Sequence, residues 1–290
     1  MGIQAAAHMK VGAILPWFGA KRAMASQIIP VFGQHTSYWE PFCGGLAVLL
    51  AKPACAVETV CDRHGDLINL AKVLQDRKTA ECLYDRVYRT LPCEATYFEA
   101  AAACRAAGYA SAAIPVCVGR AYDFFVSSWM GMNGVVGTRR SKPGFCVSYR
   151  PNGGRGGTRW TSAVESIPAW HERLRRVTIL RTDGFQVLAR IRDAKGVLIY
   201  VDPPYLDKTA KYLHDFSDAD HDRLARLLQR FRLARVVVSY YDHPRLAKLY
   251  PAESWSKILC NNRKRMRNPR VTKPCPQRRE VLLINSKETP

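Results

Sequence analysis

Gly196-Val-Leu-Ile-Tyr-Val201 running into Asp202-Pro203-Pro204-Tyr205 is the stretch on which the fold turns. An unbroken apolar run of this length, bounded by turn residues, reads as a strand buried on both faces, as in a parallel sheet covered by helices. Two prolines then end it, because neither has an N–H to continue a ladder. An acid, two stiff backbone carbonyls and an aromatic ring are thus delivered together at a strand's carboxyl end. Open α/β sheets bind their ligands there. A carboxylate and a rigid carbonyl can each accept one hydrogen of an amino group, and the ring offers a stacking face. The set suits a planar aminated ring. It is equally a turn in which Asp202 only caps.

Acid-tipped strands recur upstream. Tyr38-Trp39-Glu40-Pro41-Phe42-Cys43-Gly44-Gly45-Leu46-Ala47 reads as a strand end, a glycine turn and an apolar helix from Ala47 to about Ala51. The glycines allow a ligand close to the backbone. Glu40 would repel a phosphate, so the pattern favours a ligand with a positive group, and the G-x-G-x-x-G nicotinamide fingerprint is missing. Ala54 to Cys61 reads as a second strand ending at Asp62, which lies 22 residues after Glu40 (62 − 40). That spacing suits a carboxylate on ribose hydroxyls, with an N-cap for a helix from Gly65 as the other reading. Val177 to Leu180 is a third strand, ending in Thr182-Asp183-Gly184-Phe185. This tip either holds an aromatic ring or caps the following helix.

Near the start, Val11 to Leu15 leads into Pro16-Trp17-Phe18-Gly19-Ala20-Lys21-Arg22, whose aromatics and lysine face a ligand, and Ala23 to Val31 reads as a helix. Beyond the opening stretch, Ser217-Asp218-Ala219-Asp220 caps a helix over His221 to Phe231. Arg235 to Tyr241 is a buried strand, His243 to Leu249 a short helix, Trp255 to Leu259 extended, and Glu280 to Asn285 a last strand.

The middle differs. Residues 75–130 are alanine-rich with helical periodicity, and Ala121 to Met130 is an aromatic-rich core helix. Gly144 to Arg150 alternates like a strand, Pro151 to Gly157 is a turn, and Thr158-Arg159-Trp160 would return as the second strand of a hairpin. Arg139, Arg140, Lys142, Arg150, Arg155 and Arg159 stud this ribbon, as DNA contacts or as a solvated basic loop. The whole chain, 290 residues with 44 Lys+Arg against 24 Asp+Glu, carries a net charge of +20. That excess points to a polyanionic partner, nucleic acid before membrane. The 10 cysteines include no C-x-x-C pair and no Cys/His cluster. They read as free thiols in a reducing cytoplasm, with no metal site expected. No signal peptide and no membrane span is evident.

Taken in order, Trp17-Phe-Gly-Ala-Lys21, Glu40-Pro-Phe-Cys-Gly-Gly45, Val60-Cys-Asp62, Asp202-Pro-Pro-Tyr205, Val238-Ser-Tyr-Tyr-Asp242 and Glu280-Val-Leu-Leu carry a family resemblance. The chain resembles the Dam-like DNA adenine-N6 methyltransferases, with the target-recognition domain between the cofactor and catalytic motifs. The resemblance implies an α/β, Rossmann-like sheet binding S-adenosylmethionine, with an inserted, mainly helical recognition domain carrying the hairpin. Its implied division is a catalytic domain in two parts, 1–74 and 166–290, around a recognition domain over 75–165. Trp17 and Lys21 would line the cofactor site, Glu40, Phe42, Gly44 and Gly45 would hold the methionine moiety, Asp62 the ribose, and Asp183 with Phe185 the adenine ring. Asp202, Pro203, Pro204 and Tyr205 would handle an adenine flipped out of duplex DNA. Two departures from the family pattern stand out. Leu46 occupies a common glycine position, and Gly184 separates Asp183 from Phe185.

The implied enzyme is cytoplasmic, needs no metal, and acts as a monomer or as a dimer on DNA. It belongs to a restriction–modification pair or stands alone, as in phage. An RNA or cytosine amino-methyltransferase is the rival within enzymes, although the acid at Asp202 favours adenine. A catalytically silent DNA-binding protein on the same fold is the rival outside them.

Overall fold

The computed structural model describes residues 9–106, 115–132, 144–147, 156–206, 214–260 and 279–285. Seven strands form one sheet: β1 Ser37–Glu40, β2 Val57–Asp62, β3 Val177–Arg181, β4 Val197–Val201, β5 Arg235–Tyr241, β6 Ser256–Leu259 and β7 Glu280–Ile284. Their order is β3-β2-β1-β4-β5-β7-β6. The first five run parallel, and β7 runs against both β5 and β6. This is the doubly wound, Rossmann-like sheet that the resemblance implied. The order reverses between β1 and β4, which pair directly with Trp39 opposite Ile199. Helices must leave that point in opposite directions, so a crevice opens there at the strands' carboxyl ends.

The helices are α1 Ala25–Ile28, α2 Ala47–Ala51, α3 Gly65–Gln75, α4 Arg77–Tyr88, α5 Glu94–Ala106, α6 Val118–Met130, α7 Gly156–Val164, α8 Ile167–Leu174, α9 Gly184–Arg190, α10 Asp218–Leu228 and α11 Leu246–Leu249. The β4 run is apolar throughout because both its faces are covered. Leu198 and Tyr200 join a core shared with α1 to α8, whereas Ile199 and Val201 join one shared with α9, α10 and α11. The alternation is the two-residue period of a strand. Residues of α4 to α7 lie in the same core as one face of the sheet. Asp66 of α3 and Arg120 of α6 pair across that layer.

Three local expectations change. The hairpin's return strand is absent: Thr158, Arg159 and Trp160 lie in α7. Trp160, Ala163, Val164 and Ile167 are all buried, and Trp160 packs edge-on against Phe125 at 5.6 Å. Their spacing is helical, and burying that stripe outweighs strand alternation. Of the outgoing strand, residues 144–147 are described, and only a single bridge, Gly131 to Phe145, pairs them. The turn falls outside the described residues. The helix expected over Ala23 to Val31 is broken into two 3₁₀ turns flanking the four residues of α1. Pro30, unable to donate to the preceding turn, accounts for the second break. The Ser217 cap forms as expected, a capping box with Asp220, although α10 begins at Asp218.

Leu46, at the family's glycine position, has φ +62° and is the only non-glycine residue with positive φ among those described. It is also 1% exposed. The left-handed backbone costs a residue with a Cβ roughly 1 kcal/mol, while the buried side chain offsets it. Leu46→Gly and Leu46→Ala both lose the packing, but only glycine relieves the backbone. Denaturant unfolding should therefore find the glycine variant more stable than the alanine variant by about 1 kcal/mol, the reverse of the order at ordinary core sites.

Candidate active site

The β1 tip builds the first half of the site. Glu40 is 3% exposed, and the Tyr38 hydroxyl donates to its Oε2 at 2.8 Å. Burial pushes its carboxyl up to about 8, against the pull of the Tyr38 hydrogen bond and with a push from Asp202. Among the described residues no cation lies in ion-pair contact with it. The turn that follows is tied to β2. Gly44 N donates to Asp62 Oδ2 at 3.1 Å, and His64 N donates to Oδ1 at 2.9 Å. The N-cap of α3 is His64, whose Nδ1 accepts from Leu67 N, so capping does not account for Asp62.

Trp17 lies on this turn. A Cβ on Gly44 (φ +44°) would stand 2.9 Å from Trp17 Cδ1, and one on Gly45 would stand 3.1 Å from the Leu15 carbonyl. Both glycines are required for the backbone to pass this close. The Trp17 ring meets His64 edge-on at 5.3 Å, and His64 stacks on Phe124 of α6 at 5.4 Å.

The β3 tip has the cap that was one of its two readings. The Asp183 carboxylate caps α9, accepting from Phe185 N at 3.0 Å. Phe185 is 4% exposed, stacked on Phe216 at 5.3 Å and edge-on to Phe42 at 6.2 Å. Arg223 stands 4.4 Å from its centroid. Phe185 is therefore a core ring, not an open face awaiting a base. Gly184 has a packing role: a Cβ there would come within 2.5 Å of the Pro41 carbonyl and 2.6 Å of Phe42. The residue that breaks the family spacing is the one that lets α9 press on the β1 turn.

The β4 tip builds the second half. Asp202 Oδ2 pairs with Lys21 Nζ at 2.9 Å. Lys21, expected to line the cofactor site, is the counter-ion of Asp202, and it also donates to the Gly19 carbonyl at 2.8 Å. Asp202 Oδ1 is buried with no hydrogen-bond partner among the described residues. Burial raises the Asp202 carboxyl, against the pull of Lys21 and, more weakly, of the nearby Tyr205 hydroxyl. Burial works against the Lys21 charge too, but Asp202 and Glu280 outweigh it, leaving the ammonium raised. The Tyr205 ring lies beside them, with Lys21 Nζ 4.9 Å from its centroid. Pro203 is buried, and Pro204 and Tyr205 are partly so. Sequence reasoning missed the Lys21–Asp202 pair, because 181 residues (202 − 21) separate the partners.

Arg139, Arg140, Lys142, Arg150 and Arg155 lie outside the described residues. Arg159 is not offered on a ribbon. Its Nη2 donates to the Ser128 and Gly131 carbonyls at 3.0 and 3.1 Å, closing the carboxyl end of α6. Among the described residues there is no group of three or more His, Cys, Asp or Glu placed to hold a metal, and no helix long and apolar enough to cross a membrane.

The raised Glu40 carboxyl has a stability consequence. Between its unfolded value near 4.5 and its folded value of about 8, the folded state binds the extra proton, so stability falls as pH rises through that window. Glu40→Gln retains an acceptor for Tyr38 and removes the titration. Its unfolding free energy should exceed that of the wild type by on the order of 1 kcal/mol or more at pH 8. The gain should vanish below about pH 4, measured by denaturant titration at each pH.

No curated protein matches this chain in sequence. Among solved structures, the rRNA methyltransferase AviRa from Streptomyces viridochromogenes aligns with a TM-score of 0.41 and 14% identity, over 98% of this chain and 89% of its own. SMU.472, assigned as a methyltransferase and solved in complex with SAH, aligns with a TM-score of 0.40 and 8% identity, over 97% of this chain and 56% of its own. The match that covers the site just described is to a family model. That model, D12 class N6 adenine-specific DNA methyltransferase, spans residues 17–265, from the tryptophan on the glycine turn, through both acid-tipped strands, to beyond β6. The chain belongs to this family, the N6 adenine-specific DNA methyltransferases.

Proposed function

We propose that the protein transfers the methyl group of S-adenosylmethionine to the N6 amine of an adenine flipped out of duplex DNA, with the β1 half of the site holding the donor and the β4 half the acceptor. The observation that carries this reading is the buried, unpartnered Asp202 Oδ1 beside an ion-paired Oδ2. A carboxylate with one oxygen paired to Lys21 and the other without a hydrogen bond is an acceptor for a donor hydrogen. An exocyclic amine supplies one.

The donor half fits the cofactor. Glu40, buried and without a cation, suits the donor's ammonium. Asp62, fixed by two backbone N–H groups, suits ribose hydroxyls, and Gly44 with Gly45 leaves backbone open to close approach. When bound, the cofactor supplies a sulfonium methyl as electrophile. The protein's own residues then do the rest. Asp202 Oδ1 and the Pro203 carbonyl each accept an amino hydrogen, which turns the nitrogen lone pair out of conjugation with the ring. Tyr205 stacks on the base, and unstacking it from DNA costs a few kcal/mol. Asp202, its carboxyl raised by burial, takes the proton that the amine sheds after transfer. Positioning and fixed charge supply most of the acceleration. The bulk of the duplex is gripped by basic side chains, Arg139, Arg140, Lys142, Arg150 and Arg155 among them.

Incubation with tritium-labelled S-adenosylmethionine and duplex DNA should label N6-methyladenine, and sequencing of the methylated product should reveal one short target site. Label on cytosine alone, or DNA binding without label, would overturn the reading. Asp202→Ala should lower methyl transfer more than about 100-fold while S-adenosylmethionine still binds. Lys21→Met removes the charge that lowers the Asp202 carboxyl. The acid limb of its kcat/KM profile should therefore move to higher pH than in the wild type.

A further inference from the structure

Glu280 is the first residue of β7. Because β7 runs against β5, its beginning lies where the parallel strands end, and Glu280 stands opposite Tyr241 at the β5 tip. The Tyr205 hydroxyl donates to Glu280 Oε2 at 3.3 Å. The same ring is held edge-on by Tyr241, with centroids 4.6 Å apart at 84°, and leans on Tyr240 at 5.6 Å. A stacking ring is useful only while its plane is fixed. Tyr240 and Tyr241 confine the ring body, but a phenol free at its far end can still swing about its Cα–Cβ bond and carry the ring out of place. A carboxylate acceptor at the hydroxyl removes that freedom, and hydrogen bonds to charged acceptors are the stronger ones.

We propose that Glu280 is a positioning residue for the acceptor base: by accepting the Tyr205 hydroxyl it fixes the plane of the ring on which the flipped adenine stacks. The inference rests on Tyr205 being the stacking platform, as proposed above.

Three substitutions separate the contributions. Glu280→Gln keeps an acceptor and removes the charge. Glu280→Leu removes both, and Tyr205→Phe removes the hydroxyl while keeping the ring. The probe is a duplex with 2-aminopurine in place of the adenine that the enzyme methylates, since its fluorescence is quenched by stacking. Glu280→Leu and Tyr205→Phe should each lower kcat about tenfold and leave the bound probe brighter than with wild type. S-adenosylmethionine affinity should change less than about twofold, and Glu280→Gln should keep kcat within about threefold of wild type. The double variant, Tyr205→Phe with Glu280→Leu, should be no worse than either single change, because both break one interaction.

Wild-type kcat and quenching in Glu280→Leu would overturn the proposal. So would equal defects in the Gln and Leu variants, which would make the charge rather than the hydroxyl anchor decisive, or full additivity in the double variant. If Glu280→Leu fails to fold, Tyr205→Phe carries the test: wild-type kcat and quenching there would overturn it equally. Tyr205→Ala with an unchanged probe signal would remove the stacking platform itself, and both readings with it. A bright probe in Tyr205→Ala beside a silent Glu280→Leu would sink this inference alone.

Discussion

Two carboxylates, Glu40 and Asp202, stand at the tips of adjacent strands, and a dry crevice does not hold both as anions without compensation. The topology forces the pair together, because β1 and β4 are neighbours at the point where the strand order reverses. Each acid meets the constraint differently. Asp202 has Lys21 at 2.9 Å, whose charge opposes the upward push of burial on its carboxyl. Glu40 has only a tyrosine hydroxyl and keeps its proton to about pH 8. The difference suits the two substrates. An acid with a lysine beside it can orient a neutral amine, whereas an acid that ionises when a cation arrives discriminates for that cation. Neither acid could exchange roles with the other without moving the lysine.

The lysine is placed by the segment preceding α1. Trp17 seals the glycine turn from above, and Lys21, four residues on, reaches across to the neighbouring strand tip. One short loop therefore touches both halves of the site. Tight packing around it explains the glycines better than flexibility does. Gly44 and Gly184 sit where a Cβ would come within 2.9 and 2.5 Å of ring or backbone, closer than real side chains approach, and one on Gly45 would press at 3.1 Å on the Leu15 carbonyl. Leu46 makes the opposite choice, accepting a left-handed backbone for the sake of a buried side chain.

What the sequence made legible follows from range. Strands of continuous apolar character, caps such as Ser217 with Asp220, and acids placed just past strand ends are local signals, and the structure has them within a few residues of where they were expected. The family motifs added the Rossmann-like class of the sheet, whose strand order only the structure gives. Contacts distant in sequence were not legible: Lys21 with Asp202, Tyr205 with Glu280, and Phe185 with Phe216 each join segments whose separation hides the partner. The α7 error was a contest of periods. Thr158-Arg159-Trp160 is too short to distinguish two-residue from 3.6-residue spacing, and only Trp160 with Ala163, Val164 and Ile167 decides for the helix. Asp183 shows the reverse case, in which the modest local reading, a cap, was sufficient.

Charge and chemistry are separate problems in this molecule. If each of the 24 acids paired with one base, 20 of the 44 basic side chains would still have no acidic counterpart. Several described arginines are consumed inside the fold, Arg120 on Asp66, Arg173 on Glu58 and Arg159 on two helix carbonyls. The surplus is therefore a property of the remaining surface, and it gives attraction to a phosphate backbone that weakens with salt and reads no sequence. At the β4 tip, by contrast, one lysine faces Asp202, with Glu40 protonated up to about pH 8 on the adjacent strand. Such a centre gains little from the DNA's field. Its contacts are short-range ion pairs and hydrogen bonds, which depend on shape and donor placement rather than on net charge. Affinity for DNA and choice of the amine thus rest on different parts of the chain, and each can change without dismantling the other.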